Sequence, residues 1–115
     1  MPDVPAPVVR ERLSTVELSG SPDRIEGYRV TMAPGHLTGL HHHPGGVVGV
    51  VTGGTVLFEY RGEVRVLKAG DAFTEAPGAT VERFDNASAS EPATFIAYYT
   101  LRDDALIVPG AGPSK

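Results

Sequence analysis

Gly35-His36-Leu37-Thr38-Gly39-Leu40-His41-His42-His43-Pro44-Gly45-Gly46, followed by the apolar run Val47-Val48-Gly49-Val50-Val51, is the stretch on which the reading of this chain turns. It holds all four histidines of the protein, three of them adjacent. In an extended strand, successive side chains point to opposite faces, so His41 and His43 share one face and His42 takes the other. Pro44 supports this, because it biases the residue before it towards extended geometry. Two imidazoles on one face can converge on one ion, and neutral imidazole suits iron, zinc, manganese or nickel. A third ligand would come from a neighbouring strand. The cluster is internal and flanked by strand-like sequence, which argues against a tag. A plain polar loop is the competing reading. His36, beside Gly35 at a turn, is assigned to the surface.

Outward from this stretch the chain is a series of short β-like runs. Val8 to Leu18 leans towards strand through its β-branched residues, and Ile25 to Met32 places Tyr28, Val30 and Met32 on one face. Beyond the histidines, Val47 to Val51, Thr55 to Tyr60, Glu63 to Leu67, Ala72 to Glu75, Thr80 to Phe84 and Ala93 to Leu101 all read as strands. Between them lie Gly53-Gly54, Arg61-Gly62, Ala69-Gly70-Asp71, Pro77-Gly78 and Asp85-Asn86-Ala87-Ser88, all turn sequences. No stretch has helical periodicity over ten or more residues. Turns this frequent between short strands predict an all-β sandwich or barrel. The expected organisation is a flexible segment over residues 1–7, one barrel domain over 8–104 and a loose tail over 105–115. Asp103 and Asp104 read as a solvated turn.

Composition sets the outer limits. At 115 residues the chain is one domain. Its net charge of −4 with scattered Lys and Arg disfavours a nucleic-acid or anionic-membrane surface. With no cysteine, there is no disulfide, thiolate metal site or cysteine nucleophile. The N-terminal residues lack the pattern of a signal peptide, and the longest apolar runs fall far short of a membrane helix. The expectation is a cytoplasmic protein. No Gly-x-Ser-x-Gly setting and no phosphate-binding glycine loop ahead of a helix occurs.

These residues resemble the cupin family. Its first motif is a glycine, five residues, His-x-His, three or four residues, a glutamate, six residues and a glycine. Gly35, His41 and His43 match it, and Gly53 or Gly54 matches the last glycine. Val47 and Val48 stand where the glutamate is expected. The second motif is a glycine, five residues, Pro-x-Gly, two residues, His, three residues and Asn. It is matched by Gly70, Pro77-Gly78 and Asn86. Counting back from Asn86, the family histidine falls on Glu82. Counting forward from Gly70, it falls on Val81. Glu82 is preferred, because the other register would turn Arg83 inward, and burying an unpaired arginine is costly.

The resemblance, over about residues 28–101, implies a small jelly-roll, or double-stranded β-helix, barrel and a homodimer. In place of the family's usual three histidines and one glutamate, it implies a metal site of His41, His43 and Glu82. Glu75 is the reserve carboxylate and Glu59 a weaker one, both expected at the surface. The function expected is that of an enzyme acting on a small organic molecule in the barrel mouth through a divalent transition metal (Fe, Zn, Mn or Ni), of oxygenase, isomerase or lyase type. One alternative is a metal-free enzyme in which Glu82 and His41 or His43 act as acid and base. The other is a ligand-binding barrel without turnover. The mouth would be lined by valines, Phe58, Phe73, Phe84, Tyr98 or Tyr99.

Overall fold

The computed structural model describes residues 7–20, 22–102 and 105–113. The expectations for residues 1–6 and for Asp103 and Asp104 lie outside these. The described residues form ten strands and no helix, so none is long and apolar enough to cross a membrane. The strands are β1 (Val8–Glu17), β2 (Arg24–Met32), β3 (His41–His42), β4 (Val47–Gly53), β5 (Thr55–Tyr60), β6 (Glu63–Lys68), β7 (Ala72–Glu75), β8 (Thr80–Asn86), β9 (Ala93–Leu101) and β10 (Val108–Pro109).

They pair antiparallel in two five-stranded sheets, ordered β1-β2-β9-β4-β7 and β10-β3-β8-β5-β6. Consecutive strands repeatedly change sheet, the winding of a jelly roll. The fold is the expected small all-β barrel.

Alternation within strands builds the interior. Along β9, Ala93, Phe95, Ala97, Tyr99 and Leu101 are buried, while Tyr98 between them is exposed. Tyr28, Val30 and Met32 share a face on β2 as expected, Val30 and Met32 being buried in the core and Tyr28 packed against it. Phe73, Phe84 and Phe95 meet edge to face or tilted at the centre, with ring centroids 4.8–5.8 Å apart. Such contacts add to the burial of apolar area that drives folding. Phe73 lies over Gly49 on the paired strand β4, where a Cβ would stand 2.3 Å from its ring.

Two local features depart from the sequence reading. The segment expected to be a loose tail carries β10, whose Val108 and Pro109 pair with His42 and His41. On β8, Arg83 pairs with Glu59 and Val81 with Tyr60, so Glu82 is an extra, bulged residue. A bulge breaks the two-residue period. Val81 and Phe84 can therefore both be buried while Arg83 stays outside, ion-paired to Glu59 at 3.4 Å. Arg83 is thus outside as expected, and Glu82 is half-buried at the bulge, with its Oε2 buried and without a hydrogen-bond partner.

Candidate metal centre

Beyond β3, the third histidine continues the alternation of the first two. His41 and His43 are buried, at 3% and 7% exposure. Their rings meet at right angles, with centroids 5.1 Å apart. His42 faces away from them, its Nδ1 donating to the Gly110 carbonyl at 3.1 Å. His36 is partly buried beside the turn at Ala33 and is not part of the cluster.

Both inward rings are held from behind. His41 Nδ1 donates to the Gly39 carbonyl at 2.8 Å, and His43 Nδ1 donates to the Leu106 carbonyl. A carbonyl only accepts, so Nδ1 carries the proton and Nε2 presents a lone pair. Metal-binding histidines are commonly fixed in this way, the ring nitrogen opposite the ion donating to a carbonyl or carboxylate. Burial pushes the His41 pKa below the ordinary imidazole value, against the raising effect of the Gly39 carbonyl. The neutral ring is the form a metal binds.

The supports are themselves anchored. Gly39 has a φ of +75°, a left-handed conformation that suits glycine, and this turn brings its carbonyl to His41. Asp85, buried on β8, accepts from the Thr38 and Gly39 amides at 2.9 and 3.4 Å. Gly45 passes so close to the Thr100 carbonyl that no Cβ would fit. Asn86 donates to the carbonyls of Met32, Ala33 and Glu91, tying β8 to the end of β2.

The carboxylate brought to the histidines is that of Glu75. Ligand atoms of His41, His43 and Glu75 all lie within 4.8 Å of one another, and all three residues are buried. Glu82 is not in this group, and the residue of β8 opposite His41 is Val81, fully buried. Glu59 is at the surface with Arg83. Glu75, expected at the surface, is 3% exposed.

The placement of Glu75 has a simple register origin. Val47, in the position where the first motif expects glutamate, pairs with Glu75 across β4 and β7. Directly opposed side chains in a sheet project to the same face with Cβ atoms about 5 Å apart. A carboxylate on the partner strand thus reaches the space that one at position 47 would fill. One signal for this was present in the sequence: Phe73 is an apolar residue on a short strand, and two residues further on Glu75 must share its face.

The chemistry of the donors fits a metal. Glu75 Oε1 is 3.0 Å from His43 Nε2, yet it is buried and accepts no hydrogen bond. With the proton on Nδ1, two lone pairs face each other across that distance. A buried carboxylate in this position is costly unless a cation compensates it. Three acceptors converging without a donor are suited to a metal ion, and His41, His43 and Glu75 can hold one.

The donors open into a cavity walled by Val30, Val47, Phe73, Phe84, Phe95 and Tyr99, with Leu106 and Ile107 of the C-terminal segment along one side. Of the expected lining residues, Phe73, Phe84 and Tyr99 take part, Phe58 lies in the core, and Tyr98 points outward. Burial pushes the Tyr99 hydroxyl pKa up, so it stays protonated at neutral pH. About 30 Å³ is open to the centre of a water molecule, so the cavity as it stands takes only a small ligand.

With this geometry in place, the class of protein follows: a jelly-roll barrel with a His-x-His pair and a carboxylate turned into its cavity. The cupin domain model matches residues 28–99, and the chain belongs to the cupin family. Similar solved structures include a cupin-like protein from Thermotoga maritima, at 27% identity and TM-score 0.68, covering 94% of this chain and 79% of that one. KdgF from a Halomonas species is 26% identical with TM-score 0.65, covering 90% of this chain and 87% of its own. An oxalate oxidase in complex with the substrate analogue glycolate is 26% identical with TM-score 0.61, over 73% of this chain. This match spans only 45% of that oxidase. No curated protein shows a significant sequence match to this chain.

Proposed function

We propose that this protein is a metal-dependent cupin enzyme acting on a small organic molecule, with a divalent transition metal bound by His41, His43 and Glu75. The observation that carries the reading is the buried, unbonded Oε1 of Glu75 facing the Nε2 lone pair of His43. Two histidines and one carboxylate leave coordination positions free for a substrate, an arrangement used by non-haem iron oxygenases and open to zinc, manganese or nickel. The metal would supply Lewis acidity or an activated water. The chain supplies the rest. The Gly39 and Leu106 carbonyls fix the imidazoles, the phenylalanine walls limit water, and Tyr99 offers a protonated hydroxyl. The similarity to an oxalate oxidase supports an enzyme with a small substrate. A homodimer, expected from the family, belongs to the same proposal.

One observation favours a second reading, a metal-free enzyme. The 3.0 Å separation of His43 Nε2 and Glu75 Oε1 would also suit a shared proton. The pair would then act as acid and base on the bound molecule.

Elemental analysis of the purified protein, after loading with iron, zinc, manganese or nickel, separates the readings. About one ion per chain is expected in the parent, with loss in His41→Ala and Glu75→Gln and retention in Glu82→Gln. Loss in Glu82→Gln with retention in Glu75→Gln would move the third ligand to Glu82. No uptake of any of the four metals would remove the metal reading and leave the proton-sharing pair.

A further inference from the structure

Arg10 is the feature of the cavity that the metal centre does not use. On β1 it pairs with Val30 of β2, a core residue at 2% exposure. Paired residues project to the same face of a sheet, so the Arg10 side chain is directed to the barrel interior. It lines the same cavity as His41, His43 and Glu75, and as an exposed residue it stands at the mouth.

An arginine directed towards an apolar cavity normally has an acidic partner, and four other arginines here do, while Arg61 and Arg65 lie over the Tyr60 and Phe58 rings instead. Arg12, two residues along β1, is ion-paired with Glu26 at 3.7 Å. Arg29 has Glu11, Arg24 has Asp23 and Glu26, and Arg83 has Glu59. Among the described residues the Arg10 side chain has no ion pair and no hydrogen bond, its backbone alone being engaged in the pairing of β1 with β2. It shares the cavity lining with Tyr99 and with the two histidines. A guanidinium left unpaired at the edge of low-dielectric walls concentrates positive potential in the opening. Bound metal would add to it.

We propose that Arg10 is the anion-recognising residue of this cavity and that the molecule bound is a small organic carboxylate. The planar guanidinium takes the carboxylate through paired N–H donors. The other end of the molecule lies towards His41, His43 and Glu75. The identity of that inner end rests on the proposed metal centre, whereas the carboxylate contact does not. The narrow cavity limits the acid to a few carbons, and its apolar walls favour an aliphatic chain between the two poles.

The test is NMR titration of the full chain, metal-free and after zinc addition, with acetate, glycolate and malonate, each beside its uncharged amide. Zinc content is measured separately. Saturable shifts at Arg10 and Tyr99 are expected with at least one carboxylate and with none of the amides. Arg10→Gln should weaken that binding tenfold or more, and Arg10→Lys should restore part of it, with zinc content unchanged in both. Carboxylate binding that depends on Arg10 in a protein that takes up no zinc would keep this inference and remove the metal reading. Normal zinc uptake with carboxylate affinity within twofold of the parent in Arg10→Gln would overturn the inference and leave the metal reading standing. No saturable shift with any of the acids in either form would also overturn it.

Discussion

At the scale of single residues, the candidate centre depends on side chains that never touch the cavity. Asp85 holds the Thr38 and Gly39 amides, and Gly39 in turn holds His41. Losing Asp85 frees the loop and lets the imidazole turn. Outer supports of metal ligands usually change affinity by about 10–100-fold, and a support acting through the backbone belongs at the lower end. Asp85→Ala should therefore weaken zinc binding about tenfold, as read by competition with a chromogenic chelator. Retention of the Asp85 hydrogen bonds in Glu75→Gln would let the two losses be told apart, since that variant removes a ligand and leaves the loop in place. Unchanged affinity in Asp85→Ala would show that Pro44 and the β3 pairing alone hold His41.

At the scale of elements, the pairing of β4 with β7 decides both the core and the centre. It sets Glu75 beside Val47 and Phe73 beside Gly49. A methyl at position 49 would meet the Phe73 ring at 2.3 Å and the Ile96 carbonyl at 2.8 Å. The ring can give way only by disturbing Phe84 and Phe95, and the carbonyl belongs to the β9 ladder. Overpacking of this kind costs about 1–3 kcal/mol. Gly49→Ala should lower the urea midpoint accordingly and, by shifting β7, reduce metal uptake as well. A variant as stable as the parent would mean that β4 and β7 slide without loss. The β8 bulge is a second decision at this scale. It removes Glu82 from the alternation, places Val81 opposite His41 and keeps Arg83 at the surface. The third is β10, which pairs with β3 and sets Leu106 close enough to hold His43.

At the scale of the whole molecule, stability depends on pH through Glu26, a buried carboxylate behind Tyr99 that does not itself line the cavity. The Tyr28 hydroxyl donates to Glu26 at 2.8 Å and holds its carboxyl below the usual carboxylate range, against burial, with Arg24 adding to the lowering. The folded chain thus binds this proton less readily than the unfolded one. Its stabilisation is complete above the unfolded value of about 4.3 and is lost as pH falls through the folded value. Glu26→Gln should be less stable than the parent by about 1–2 kcal/mol at pH 7. Urea unfolding at a series of pH values should show this difference shrinking in acid. A difference independent of pH would assign the loss to packing.

The sequence by itself determined the all-β barrel, the family, and the shared face of His41 and His43. These rest on local rules: the two-residue period of a strand, the turn chemistry of glycine and proline, and the spacing within one motif. Which carboxylate joins the histidines was decided by tertiary structure: the strand period puts Glu75 on the face of Phe73 but does not say which strand β7 pairs with. Glu75 meets them because β7 pairs with β4 in one register, and Glu82 leaves the alternation because β8 bulges against β5. Likewise, Arg10 faces the cavity because β1 pairs with β2 and sets it against Val30. Register between strands is fixed by the packing of the whole core, and a shift of one residue reverses every face. That information is spread over distant parts of the chain, so no single stretch of it, the histidine run included, carries the answer.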